Sequence, residues 1–221
     1  MSIVKNVENE KKYLIEGLPR DLLSGVERKN IIQYYLNIKD FDIKEIIKLW
    51  FGLDNIRLRK IAEARIRIID NKSFVFTVKS GKLNKRYEKE KDIRRQIALR
   101  LIKSKAIGFV AKTRFVYKGV EIDFLKNRDL CLAEMEYDNM TEQEVDEYVK
   151  SVIKEICEGK AKDCSATPLT DELVENNGRI QLNIPIDNIN IEDVKIVDVT
   201  NDPNYKNKNL MIPCNPLITT L

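Results

Sequence analysis

Residues 7–15 read VENEKKYLI. Side chains of a strand project alternately to opposite faces, so this stretch would place Glu8, Glu10 and Lys12 together on one face. Val7, Asn9, Lys11 and Tyr13 would occupy the other, and Leu14 and Ile15 close the run. Two carboxylates and an ammonium on one side of an early strand demand a reason, and the reason has to lie in the other strands.

The same signature recurs down the chain. EARIRIID sets Arg65 and Arg67 against Ala64, Ile66 and Ile68, and SFVFTVKSG sets Thr77 and Lys79 against Phe74, Phe76 and Val78. KRYEKEK aligns Arg86, Glu88 and Glu90; GFVAKTRFVY aligns Lys112 and Arg114; GVEIDF pairs Glu121 with Asp123; LCLAEMEYD pairs Glu134 with Glu136. One such strand alone would ordinarily turn its polar face to water. The set is different, because these faces are almost wholly ionic and their signs are segregated, acidic pairs on some strands and basic pairs on others. Closing an antiparallel sheet on itself removes its edges and creates an interior. The expected fold is therefore α+β: a closed antiparallel eight-stranded β-barrel with a charged lumen and helices packed on its apolar outside.

Composition agrees with one substantial soluble core. The chain has 221 residues, 43% hydrophobic and 33% charged, and its formal charge of +4 balances 39 basic against 35 acidic residues. That balance gives no strong nucleic-acid signal. No apolar run approaches the roughly 20 residues that span a bilayer, and no signal-peptide pattern opens the chain. Cys131, Cys157, Cys164 and Cys214 have neither metal-ligand spacing nor a disulfide framework, so a reducing cytoplasm is the expected location. The chain contains no histidine, which removes the commonest general base and transition-metal ligand. Its chemistry must run on carboxylates, lysines, arginines and hard metal ions.

Charges enclosed in a lumen need partners or metals. Arginine and lysine favour phosphate oxygens, arginine through a two-pronged fork. Clustered carboxylates without histidine favour Mg²⁺ or Mn²⁺, and Mg²⁺ commonly binds through a few carboxylates plus substrate phosphates. A metal-bound polyphosphate is the complementary ligand.

An ordered series of motifs also resembles a known family. VENEKKYLI contains a Glu-x-Glu-x-Lys motif; QYYL (33–36), RIR (65–67), FTVKS (76–80), RYEKEKDI (86–93), KTR (112–114), GVEID (119–123) and LAEMEY (132–137) follow it. DVTNDPNYKNKNL lies near the end. The series, running from residue 7 to about residue 213, resembles the CYTH domains, also called triphosphate tunnel metalloenzymes, and most of all their small prokaryotic inorganic triphosphatase branch. That resemblance implies divalent-metal-dependent cleavage of a triphosphate. It implies that Glu8, Glu10, Asp123, Glu134 and Glu136 hold metal, with Glu88 and Glu90 serving a second ion or orienting water. Lys12, Arg65, Arg67, Lys79, Arg86, Lys112 and Arg114 would grip phosphate oxygens.

Within one domain over 1–221, two stretches are longer than the resemblance leads one to expect, near 38–63 and 159–195. The first reads as an inserted helix or two, apolar at Ile43, Ile46, Ile47 and Trp50; the second contains RIQLNIPIDNINI, a strand-like run broken by Pro185. Further helices are expected over 93–105 and over 141–158, the latter opened by a Thr141–Glu144 capping box and stopped at Gly159. Trp50 reads as core. The expected partner is a small triphosphate, inorganic tripolyphosphate first, without a membrane; a homodimer is an open assembly state. Alternatives from the same resemblance are a class IV-type adenylate cyclase and hydrolysis of thiamine triphosphate, nucleoside triphosphates or RNA 5′-triphosphates. A non-catalytic polyphosphate-binding module is the alternative from another class.

Overall fold

A computed structural model describes residues 9–53, 61–82, 85–126, 128–162 and 194–214, without the side chains of 81, 82 and 85–87. The alternating segments all form strands: β1 (Asn9–Glu16), β3 (Ile61–Ile69), β4 (Ser73–Lys82), β5 (Lys85–Asp92), β6 (Ala106–Tyr117), β7 (Val120–Leu125) and β8 (Leu130–Tyr137). β2 (Arg28–Leu36), which carries QYYL, has apolar residues on both faces and so lacks a period-2 signature. Two short strands complete the set, β9 (Lys195–Asp198) and β10 (Ile212–Pro213).

All pairings are antiparallel. The strand order is β5-β4-β3-β2-β6-β7-β8-β1-β9, with β10 added to β6. This departs from the expected closed eight-stranded barrel: among the described residues the sheet has ten strands and is not closed by hydrogen bonds. The reason is local. Half of the free edge of β1 is taken by β9, paired from Tyr13–Asp198 to Glu16–Lys195. Val199 and Thr200 then bind the backbone of Lys12, so β5 finds no partner there.

Among the described residues, three α-helices cover the apolar face. In α1 (Phe41–Phe51) the Asp40 carboxylate accepts from the N–H of Asp42 and Ile43, and Gly52 ends the helix at φ +60°, a conformation open to glycine at little cost. Ile43 and Ile47 pack with Ile66 and Phe76, and Trp50 stands edge-on to Phe76 at 5.2 Å. α2 (Arg95–Lys105) adds Ala98 and Leu101 to this cluster. α3 (Glu142–Cys157) has the expected capping box, both reciprocal hydrogen bonds between Thr141 and Glu144 being present. Its buried stripe of Val145, Val149, Val152, Ile153 and Ile156 meets Tyr13, Ile15, Ile122 and Ala133 of the sheet. No helix among the described residues is long and apolar enough to cross a membrane. The RIQLNIPIDNINI run lies outside the described residues.

Lys11 is an exception to the apolar outer face, yet it is only 4% exposed. Its ammonium meets Asp146 of α3 at 2.5 Å and Asp198 of β9 at 3.1 Å, and Tyr13 donates to Asp146 at 2.7 Å. A buried cation thus ties helix, first strand and last long pairing together. Burial alone would raise the Asp146 carboxyl, but the bonds from Lys11 and Tyr13 outweigh it and hold it below the ordinary aspartate value of 3.8. Its contribution is therefore present above that value and lost as pH falls through the lowered one. Asp146→Asn should cost about 1–3 kcal/mol at neutral pH, because a buried ammonium loses a charged acceptor. The gap in melting temperature from the unsubstituted protein should shrink as a pH series descends below 3.8. A gap that is constant with pH would show that the ion pair contributes nothing.

Candidate functional site

Alternation delivers the charged faces to one place. They line a cavity of about 610 Å³, bounded by residues from β1 to β8 and by the segment 199–209. Of 24 described lining residues, eight are cationic and eight are acidic. That balance lets ion pairs, rather than water, satisfy most of the charge.

Cross-strand register sorts the partners. Lys12 lies opposite Glu134 and Arg114 opposite Asp123, while Lys79 lies opposite Glu88. One network runs along β1, β6, β7 and β8. Lys12 reaches Glu134 at 2.5 Å. Arg114 clasps Asp123 through Nε at 2.7 Å and through a terminal nitrogen at 2.6 Å, and reaches Glu134 at 3.2 Å. Lys112 closes on Asp123, both side chains being 1% exposed, and Arg114 also meets Glu121. Burial would raise Glu134, but Lys12, Lys112 and Arg114 hold it well below the carboxylate range. Glu121 is the opposite case: burial raises it, and the attraction of Arg114 does not offset this.

The second network lies on β3, β4 and β5. Arg65 binds Glu63 at 3.3 Å and Glu88 at 3.2 Å; Arg67 binds Glu90 at 2.9 Å. Lys79 meets Glu88, and Thr77 donates to Glu90 at 2.8 Å. Burial and then repulsion from Arg65 pull Arg67 below its ordinary value. Arg65 and Arg67, two residues apart, have Cα atoms about 6.6 Å apart along the strand, and both guanidiniums reach Glu88, at 3.2 and 3.7 Å.

Glu10 and Glu136 sit directly opposite each other on β1 and β8. Like charges so placed repel, and among the described residues Glu10 pairs with Lys12 at 3.8 Å. Glu136 has no ion pair among the described residues; burial and then Glu10 raise its carboxyl, while Lys79 and Glu88 act on it from β4 and β5. The curl of the sheet therefore brings its two halves within electrostatic reach across the cavity.

The next inward position on β1, β6, β7 and β8 is apolar: Leu14, Val110, Leu125 and Leu132. They cluster with Tyr35 and with Val199 and Leu210 of the closing segment, which fills the interior beside the charged zone. That segment is anchored to β1, since Val199 donates to the carbonyl of Lys12 at 2.9 Å and Thr200 Oγ1 accepts from its N–H at 3.0 Å.

Most of the sequence-derived residues meet here: Glu10, Lys12, Arg65, Arg67, Lys79, Glu88, Glu90, Lys112, Arg114, Glu134 and Glu136 all line the cavity. Asp123 stands behind the wall, taken up by Lys112 and Arg114. Arg86 is on β5 opposite Gly81, its side chain outside the described set, and Glu8 lies outside the described residues. Sequence reasoning missed Glu63, Gln33, Thr200, Asp202, Lys206 and Lys208 as lining residues. Glu63 was findable, being in phase with Arg65 and Arg67; the others depend on how the closing segment folds back and how β2 faces.

No family model matches the sequence, and no curated protein matches it. Among solved structures, the inorganic triphosphatase NE1496 is similar at 19% identity and a TM-score of 0.45, covering 92% of this chain and 93% of its own. HpAC1 from Hippeastrum, a candidate adenylyl cyclase described with a dominant triphosphatase activity, is 16% identical at a TM-score of 0.44, over 67% of this chain and 87% of its own. A candidate adenylate cyclase from Vibrio parahaemolyticus is 12% identical at 0.39, over 70% and 88%.

Asp123→Asn should expose the cost of the buried network. Lys112 and Arg114 would lose their common acceptor, and breaking a buried pair from one side costs about 3–5 kcal/mol. Chemical denaturation measures this directly. A loss no larger than that of an ordinary surface substitution would remove Asp123 from the role of tether.

Proposed function

We propose that this protein hydrolyses a triphosphate, most of all inorganic tripolyphosphate, with Mg²⁺ or Mn²⁺ in the charged cavity. The observation that carries the reading is the lining itself, eight cations interleaved with eight carboxylates. Apart from Ile31, Ala62 and Val199 the remaining wall is hydroxyl or amide, and no aromatic ring is among the described lining residues. Such a wall matches a chain of phosphates and offers a nucleobase no stacking surface, which favours tripolyphosphate over ATP and hydrolysis over cyclisation.

The donor set fits a hard divalent cation that arrives with its substrate. No group of three acidic side chains is already gathered for an ion among the described residues. Mg²⁺ needs only one or two carboxylates when phosphate oxygens complete its shell, and the opposed Glu10 and Glu136 supply two. Glu8, from the same motif, is assigned beside them. Glu134 is assigned to the same end of the site while Lys12 balances it. When bound, the cation neutralises phosphate charge and polarises the attacking water.

The chain's own residues account for the rest. Arg65, Arg67, Lys79, Lys112 and Arg114, with Lys12 and Arg86, bind and align phosphate oxygens. They also stabilise the charge that shifts onto those oxygens as the P–O bond to the leaving phosphate breaks. Glu88 and Glu90 hold the guanidiniums in place before substrate arrives and remain placed to orient water. Asp123 fixes Lys112 and Arg114.

Incubation with tripolyphosphate, ATP, thiamine triphosphate and triphosphorylated RNA, each with Mg²⁺ or Mn²⁺, tests the reading. Tripolyphosphate should yield phosphate and pyrophosphate fastest, Ca²⁺ should support less turnover than Mg²⁺, and chelation should stop it. Cyclic AMP from ATP as the main product would select the cyclase instead. Glu10→Gln and Glu136→Gln should fold normally and lose turnover on the order of a hundredfold. Wild-type rates at saturating metal in both would remove the pair from the site.

A further inference from the structure

Gln33 on β2 is 2% exposed and lines the charged cavity. Its Nε2 is buried without a hydrogen-bond partner among the described residues. Buried polar atoms are nearly always bonded, and an orphaned donor carries a free-energy cost. Gln33 is not alone. It lies directly opposite Arg67 in the β2–β3 ladder, and the Nε atoms of Arg67 and Arg65 are likewise buried without an acceptor among the described residues. The terminal nitrogens of both arginines already bind Glu63, Glu88 and Glu90. Among the described residues, three N–H donors on one patch of wall thus lack acceptors, although eight acidic side chains line the same cavity. A group that satisfies them must bring several acceptor oxygens.

We infer that Gln33 is a substrate-binding residue: its Nε2 donates to an oxygen of the bound phosphate chain, on the phosphoryl group that Arg67 grips. This rests on the phosphate reading of the cavity and adds to it a neutral donor. Directly opposite residues on one face of an antiparallel pair have Cβ atoms about 4.5–5.5 Å apart, so an amide and a guanidinium so placed converge on one tetrahedral group. The amide satisfies an oxygen without adding charge to a wall where Arg65 already repels Arg67. A lysine or arginine at position 33 would worsen that repulsion in the empty protein.

The inference separates stability from binding. An orphaned donor destabilises the empty protein, so Gln33→Met, similar in length and apolar, should leave its melting temperature equal or higher. The same change removes one bond to a charged acceptor and should weaken tripolyphosphate binding by about ten- to a hundredfold. The rise in melting temperature at a fixed tripolyphosphate concentration should shrink accordingly. Gln33→Glu is the companion variant. Its carboxylate can pair with Arg67, so the empty protein should be at least as stable and the response to tripolyphosphate should vanish.

Thermal melts of the full chain and both variants, with and without tripolyphosphate, decide the matter. If a trapped water is what those donors bind, Gln33→Met will respond to tripolyphosphate as the unsubstituted protein does, and the inference is overturned. Lower melting temperatures of both empty variants would make Gln33 structural and overturn it equally. If the unsubstituted protein itself shows no response, the phosphate reading fails, a result separable from failure at Gln33 alone.

Discussion

Lys12 is where the fold and the cavity depend on one residue. Its ammonium meets Glu134 at 2.5 Å inside the curl of the sheet. Its backbone N–H and carbonyl are bound by Thr200 and Val199 of the closing segment. One strand position therefore supplies a charge to the wall, stops the sheet from continuing past β9, and anchors the segment that fills the interior beside the charged zone. The neighbouring Lys11 points the other way and fastens the same strand to α3 through Asp146. Adjacent lysines on opposite faces thus hold β1 between helix and lumen.

Charge balance governs what can sit around Lys12. Low polarity strengthens attraction and repulsion alike, so every enclosed charge must be matched. Register achieves this where opposite signs face each other, as in Lys12 with Glu134 and Arg114 with Asp123. Where it places like signs together, as in Glu10 with Glu136, the wall is left wanting a cation. On the facing half, the crowding of Arg65 and Arg67 leaves it wanting an anion. The metal-bound phosphate chain proposed for this cavity would answer both demands at once, and on that proposal the two halves form one site rather than two structural salt-bridge networks.

The strand set was legible in the primary structure because a period of two is enforced by local geometry and a buried outer face tolerates few polar residues. RIRI, FVFTVK and VEID each kept their charges on one side and their Ile, Phe and Val on the other. The capping box at Thr141 and Glu144 was legible for the same reason, its two hydrogen bonds being made within one turn. β2 was not, because Ile31, Ile32, Tyr34 and Tyr35 leave no polar face to mark the alternation, and Gln33 is the single polar residue among them.

By itself, then, the sequence determined which side chains share a face, that those faces are ionic, and which segments must be helical to cover the apolar outside. It could not decide closure, since the pairing of β1 with β9 joins residues 179 or more positions apart, for which local pattern carries no signal. Nor could it decide which carboxylates remain available. Asp123, Glu134 and Glu136 look alike in an alternating strand, yet three-dimensional packing gives the first to Lys112 and Arg114, shares the second with Lys12, and leaves the third opposite Glu10. Partner choice is set by cross-strand register and by the curl of the whole sheet, quantities that exist only once distant strands have met.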